Sequence, residues 1–276
     1  MPRNRVPLLT GLALAVAVTP WAPAPAAAQD EAERSVVAVL RFDNNTGDTQ
    51  YEHLGRALSS MMISDLSVLD EKIQLVERDR LEELTQELDF QQSAYVDPES
   101  AQSLGMIVGA EYVVAGAFVT AEPVMRLDTR ISRVETSEIV TTAEVTGERE
   151  TLFDLQQRLA DQLVEGLDLV LTEEERERLR AQQEANRIDD LRTFVAFSQA
   201  LCLMDHGEYA EGLERMQEVQ VAAPGSGLVR AALNTLQDRA EDAAKDAVVN
   251  EAGRRLGGLL GRSAPQPRRN ERASVC

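Results

Sequence analysis

Val36-Val37-Ala38-Val39-Leu40, then Arg41-Phe42, then Asp43-Asn44-Asn45-Thr46-Gly47-Asp48, is the stretch from which the rest of the chain is read. Five consecutive apolar residues rich in β-branched side chains have the pattern of a strand buried on both faces. The polar run that ends it reads as a loop. Beyond the loop Leu54, Leu58, Met61, Met62, Leu66 and Leu69 recur at helical spacing, which predicts an amphipathic helix. A short strand from Gln74 to Val76 follows, parallel to the first by the right-handed crossover rule.

Leu81, Leu84 and Leu88 then mark a helix, and Asp97-Pro98 supplies an N-cap and a first helical proline for another through Ile107. After Gly109 the period changes from helical to extended. Tyr112 to Val119, Val124 to Val134 and Ile139 to Thr146 read as three strands, and connections as short as Glu122-Pro123 and Thr136-Ser137-Glu138 favour an antiparallel meander. In the middle strand Met125, Leu127, Thr129 and Ile131 alternate with Arg126, Asp128, Arg130 and Ser132, so one face is apolar and the other is charged. Leu152, Leu155, Leu159, Leu163 and Leu167 form a long amphipathic helix, with Thr151 as its expected N-cap, that should cover the apolar face. Val39, Leu58, Met62 and Leu155 are the expected helix–sheet core.

Composition narrows the functional classes. The chain has 276 residues with 28 Lys+Arg against 47 Asp+Glu, a formal charge of −19, and so acidic a surface disfavours nucleic acid. Two cysteines, Cys202 and Cys276, and two histidines, His53 and His206, offer no zinc-ligand spacing. Cys202 reads as a small core residue, Cys276 as a thiol able to form an intermolecular bridge, and the histidines as surface or capping residues. No phosphate loop, dinucleotide turn, metalloprotease helix or nucleophile elbow is present. The chain is read as non-enzymatic, with no metal and no cofactor.

At the N-terminus Arg3 and Arg5 precede an uncharged run from Val6 to Val18, then Pro20, Pro23, Pro25 and Ala26-Ala27-Ala28. That order is a signal peptide over residues 1–28. The run is too short to span a bilayer, and no span is expected in the mature chain, which should be periplasmic and begin at Gln29.

The segments VAVLRFDNNTGD (37–48), LGRALSSMMISDL (54–66), VERDRLEELTQEL (76–88), DPESAQSLGMIVGAEYVVAG (97–116) and RLDTRISRVETSEIV (126–140) resemble, in order, the CsgG family of curli-production assembly and transport proteins and the related FlgO and TolB-N-terminal-like domains. The resemblance implies an α/β domain over residues 35–171, used in outer-membrane assembly, secretion or scaffolding without catalysis. Two departures set limits. Curli secretion channels are lipoproteins, and no cysteine lies near the expected cleavage point. They also insert strands whose apolar face meets lipid, whereas here that face is needed against helices.

Thr172-Glu173-Glu174-Glu175 fits a capping box, and residues 172–190 read as a solvated linker helix. Over 191–250 Phe194, Phe197, Leu201 and Met204, a break at Asp205-His206-Gly207, then Tyr209, Leu213, Met216 and Val219 have the spacing of a helical hairpin resembling a degenerate tetratricopeptide repeat. Residues 251–276 form a basic tail, expected to be flexible, which allows a peripheral contact with anionic lipid.

The expected fold is thus an α/β mixed sheet with packed helices followed by an α-helical TPR-like hairpin. The expected mechanism is binding of an envelope or secretion-associated protein, with a homo-oligomer as a further option. Candidate partner residues on the hairpin are Phe194, Phe197, Tyr209 and Met216. The candidate ligand or partner loop is Asp43, Asn44, Asn45, Gly47 and Asp48, a polar strand-to-helix turn. An alternative function, a periplasmic small-ligand or glycan sensor, would use that same loop, where α/β sheets place ligands. If few contacts cross the linker, a chain ending near Arg187 should fold alone.

Overall fold

The computed structural model describes residues 34–87 and 98–259. The expected signal peptide, Asp97, Cys276 and most of the basic tail lie outside them. The sheet is mixed, in the order β3 (Ile73–Leu75), β1 (Ser35–Val39), β4 (Tyr112–Ala121), β5 (Val124–Arg133) and β6 (Ile139–Glu148). β1 runs parallel to both β3 and β4, and β4, β5 and β6 form the antiparallel meander. A two-residue strand, β2 (Asp43–Asn44), pairs in parallel with Ala117–Phe118 of β4, so the loop after β1 is partly sheet.

Around it lie α1 (Leu54–Leu66), α2 (Arg78–Glu87), α3 (Pro98–Val108), α4 (Leu152–Gly166), α5 (Glu173–Asn186), α6 (Leu191–Asp205), α7 (Tyr209–Ala222) and α8 (Gly227–Leu259). The two faces of the sheet are covered unequally. On one face Ala38, Leu40 and Val113 meet Leu81, Ala101, Leu104 and Val108 of α2 and α3. On the other, Val39, Val114, Phe118, Met125, Leu127 and Ile131 meet α1 and α4, and the same apolar cluster continues without a break into α5, α6, α7 and α8. Val39, Leu58, Met62 and Leu155 are each at most 1% exposed, as their spacing requires. Arg126 stands in water, bonded to Asp128 and paired with Glu144 across the uncovered face of β5 and β6.

Two local expectations change. Thr151 makes no side-chain cap for α4; its hydroxyl donates instead to the Glu148 carbonyl at 2.8 Å. The Thr172 capping box of α5 forms, with Glu175 Nα–H on the Thr172 hydroxyl and Thr172 N–H on the Glu175 carboxylate. The helix it starts is not a solvated linker. Glu175, Leu179, Gln183 and Asn186 are buried along one side, because Leu179 joins the main core and Asn186 reaches α1.

Helix α1 approaches the end of β1 so closely that its backbone touches. A Cβ at Gly55 would sit 1.8 Å from the Phe42 carbonyl oxygen, while Phe42 N–H donates to the Gly55 carbonyl. Backbone cannot rotate away as a side chain can. Gly55→Ala should therefore destabilise by about 3 kcal/mol, the upper end of the usual cost of overpacking, and urea unfolding is the check. A change under about 0.5 kcal/mol, typical of surface sites, would show the helix free to shift.

Candidate functional site

The hairpin α6–α7 is seated on the α/β layer. Phe194, Phe197 and Met216 are at most 2% exposed, the two rings stack at 6.2 Å, and Phe194 lies with Leu191 and Ile188 against Leu58 and Met61 of α1 and Phe153 of α4. This corrects the expectation of a partner surface built from these residues. Only Tyr209 of the four retains partial exposure. The apolar stripe was real, but it faces the protein's own core.

Polar groups fasten the layers where apolar contact ends. Asp205, the last residue of α6, has a side chain 1% exposed; Arg56 Nε donates to its Oδ2 at 3.0 Å and Arg78 Nη1 to both oxygens at 2.8 Å. Arg56 also meets Glu82, and Asp79 joins Arg78 to Arg239 of α8. Burial works against the Arg78 charge, and Asp205 with Asp79 more than restores it. Asp65 of α1, fully buried, accepts from Gln156 of α4 at 2.9 Å and from Asn186 of α5 at 2.7 Å. Its carboxyl is pushed up to about 6 by burial, despite those two donors.

The Asp65 shift fixes a sign. An acid whose folded pKa exceeds its ordinary value stabilises the fold fully below the unfolded pKa, and that contribution is lost as pH rises through the folded one. A shift from 3.8 to about 6 is on the order of 3 kcal/mol. Asp65→Asn should thus lose to the wild type by more at pH 4 than at pH 7.5, with the gap narrowing mainly between about pH 4 and 6. Denaturant unfolding of both proteins across that range is the measurement, and a gap independent of pH would contradict the assignment.

The candidate loop is tied up with itself. Asn44 donates to the Asp48 carbonyl, Thr46 N–H to Asn44, and Gln50 N–H to Asp48, with Gly47 at a φ of +77°. Thr46 in turn accepts from Thr120 of β4. Asn45 N–H donates to the Phe118 carbonyl. Asp43 lies near Arg41 and Arg130, its carboxyl raised to about 6 by burial. Among the described residues no group of three or more His, Cys, Asp or Glu could hold a metal ion.

His53 precedes α1 without capping it by its side chain, and burial, then Arg56, push its imidazole down to about 4. His206 lies close enough to contribute to that shift. Its own Nδ1 is 2.8 Å from the Cys202 carbonyl, and Cys202 is buried.

Just past the loop, Gln50 and Tyr51 form one wall of a groove of about 610 Å³. Arg149 also lines it, donating to the Tyr51 hydroxyl at 2.9 Å and pairing with Glu122 and Glu150. Hydrogen bonding from Arg149 holds the Glu150 carboxyl below its ordinary range. The opposite wall is the start of α6: Asp189, Arg192, Val195, Gln199, and Asp190, which caps the helix through Thr193. Gln199 also lines a second hollow of about 300 Å³ with Leu203, Glu211, Glu214, Arg215 and Glu218. The two concavities share that side chain and run on along α6. None of Arg149, Asp189, Gln199 or Glu214 was singled out by the sequence. Arg149 and Gln199 carry no signal in the sequence, and Asp189 and Glu214 carry only their place among the carboxylates that precede α6 and line α7.

The fold and the groove define a mixed α/β domain carrying a helical subdomain on one face. Residues 24–123 match the family model described as the curli production assembly/transport component CsgG, so the family resemblance of this part rests on more than the motifs. Solved structures with similarity include the LpoB C-terminal domain from Salmonella enterica (20% identity, 42% of this chain and 83% of that one, TM-score 0.35). The lipoprotein GNA1162 from Neisseria meningitidis is 13% identical, over 50% of this chain and 99% of that one, with a TM-score of 0.36. A PelC dodecamer from Paraburkholderia phytofirmans is 18% identical, over 48% and 87%, with a TM-score of 0.30. No curated protein matches.

Proposed function

We propose that this chain is a non-enzymatic protein of the bacterial envelope, CsgG-like in its α/β part, that acts as an assembly or scaffold component. It holds a basic, extended segment of an envelope or secretion-associated protein in the groove along α6. One observation carries the reading: the two adjoining hollows are lined by Glu122, Glu150, Asp189 and Asp190, then by Glu211, Glu214 and Glu218, against Arg149, Arg192 and Arg215, with Arg187 paired to Asp189 from outside the lining. A concave, acid-walled track concentrates the field that a cationic segment meets. The matching family model, named for assembly and transport, and the export signal read at residues 1–28 support a periplasmic site of action, at or near the outer membrane.

Fluorescence anisotropy with an arginine-rich peptide should show binding that weakens steeply with added salt. Glu211→Arg with Glu214→Arg should cut affinity at least about tenfold, while Glu144→Arg on the far face of the sheet should not. Equal affinity for all three proteins would remove the groove from the account. A second reading, a small-ligand or glycan sensor, draws on the placement of Gln50 and Tyr51 at the mouth of the larger hollow. It requires a thermal shift with oligosaccharides that Tyr51→Ala abolishes.

A further inference from the structure

Cys202 lies near the end of α6, fully buried. Among the described residues no cysteine is free, and Cys202 is disulfide-bonded. The chain holds one other cysteine, Cys276, in the basic tail. Within a single chain only that sulfur can complete the bond. Export to an oxidising compartment, read at residues 1–28, is where such a bond forms and persists.

Reach permits it. Arg239 of α8 is paired with Asp79, and Arg78 beside it bonds Asp205, three residues past Cys202. From that anchor α8 runs on to Leu259, about 30 Å at roughly 1.5 Å per residue. Residues 260–276, fully extended, span up to about 55 Å at roughly 3.3 Å per residue, which is enough to return to α6.

The tie brings a cationic segment to an acid-walled track. Residues 260–276 hold Arg262, Arg268, Arg269 and Arg272 against Glu271. Cys202 follows Gln199, the side chain common to both hollows, by three residues, and it adjoins Leu203, which lines the second hollow with Glu211, Glu214 and Glu218. Arg272 stands four residues before Cys276, at most roughly 14 Å of chain. Tethered so, the tail competes for the hollows at an effective concentration on the order of millimolar.

We infer that a Cys202–Cys276 disulfide ties the tail to α6 and that the tied tail is the groove's own occupant, which a partner's basic segment displaces, a role that rests on the groove proposed above. In the bond-forming step the two thiols give up two protons and two electrons to the disulfide of an oxidising thiol protein, which is left as a dithiol. The full chain, exported and purified without reductant, should take up no N-ethylmaleimide after unfolding in urea, and its digest should contain peptides joined through Cys202 and Cys276 at monomer mass. In fluorescence anisotropy an arginine-rich peptide should bind Cys276→Ser at least about tenfold more tightly than the oxidised wild type. Arg268→Gln with Arg269→Gln and Arg272→Gln, in the disulfide-linked chain, should give a similar gain. Two free thiols, or a linkage between two chains, would overturn the inference. So would a linked tail whose release leaves peptide affinity unchanged, a result that leaves the groove standing without this occupant. A peptide that binds none of the three proteins removes the groove and the occupancy together, and the joined peptides tell that failure apart from absence of the bond.

Discussion

A chain ending at Arg187 is expected to lose its cooperative thermal transition and to aggregate. Phe194, Phe197, Leu201 and Met204 of α6 are at most 2% exposed, in the same cluster as Leu58, Met61 and Met62 of α1 and Leu155 and Leu159 of α4. Removing one such side chain typically costs about 2–5 kcal/mol. Removing four of them, together with Asp205, exceeds the roughly 5–15 kcal/mol by which a domain is stable at all. The opposite outcome was the expectation from composition alone, because the Glu/Arg-rich stretch from Thr172 to Arg187 looks like a boundary. If the truncated protein stays soluble and melts in one sharp transition, the docking of the hairpin contributes little and the α/β part folds by itself.

The second large effect belongs to a single carboxylate. Asp205→Ala should cost about 3–5 kcal/mol, since it leaves Arg56 and Arg78 buried without their shared partner and an uncompensated buried charge is expensive. The Arg56 and Asp205 side chains are 4% and 1% exposed, so water cannot replace what is lost. Equilibrium unfolding in urea is the direct measure. A loss below about 1 kcal/mol, the range of exposed ion pairs, would mean that solvent reaches the cluster and that α6 is held to α1 and α2 by apolar contact alone.

Where the chain signals structure by local period, the fold is legible. The buried run at Val36–Leu40, the alternation through Met125–Ile131 and the leucine spacing of α4 each predict their element within a few residues, because each depends on neighbours in sequence. What the hairpin packs against is a different kind of fact. The stripe of Phe194, Phe197 and Met216 has one appearance whether it meets a partner or its own sheet, and only long-range geometry decides. Asp205 read as a turn residue for the same reason: nothing near it in sequence announces Arg56 and Arg78. Asp65 did carry a signal. It falls on the apolar side of α1, three or four residues from Met61, Met62 and Leu69, where a charge must find donors.

The groove was hidden more thoroughly. Glu122, Arg149, Asp190 and Gln199 come from a strand turn, a strand end and two turns of a helix, and they become neighbours only once the hairpin is seated. The loop Asp43–Asp48 attracted attention by its composition, yet its polar side chains largely satisfy one another. It supports the groove's edge through the turn that leads into Gln50 and Tyr51.

The claim that α6 presents a track for a basic segment is tested most directly by a photoactivatable crosslinker in place of Gln199, the side chain common to both hollows, in cells that produce the full chain. A control crosslinker replaces Thr142 on the uncovered face of the sheet. The account predicts an adduct from the Gln199 position only, with the crosslinked peptide lying in a lysine- or arginine-rich stretch of another envelope protein. An adduct formed equally well from Thr142, or one whose crosslinked stretch is acidic or apolar, would contradict it.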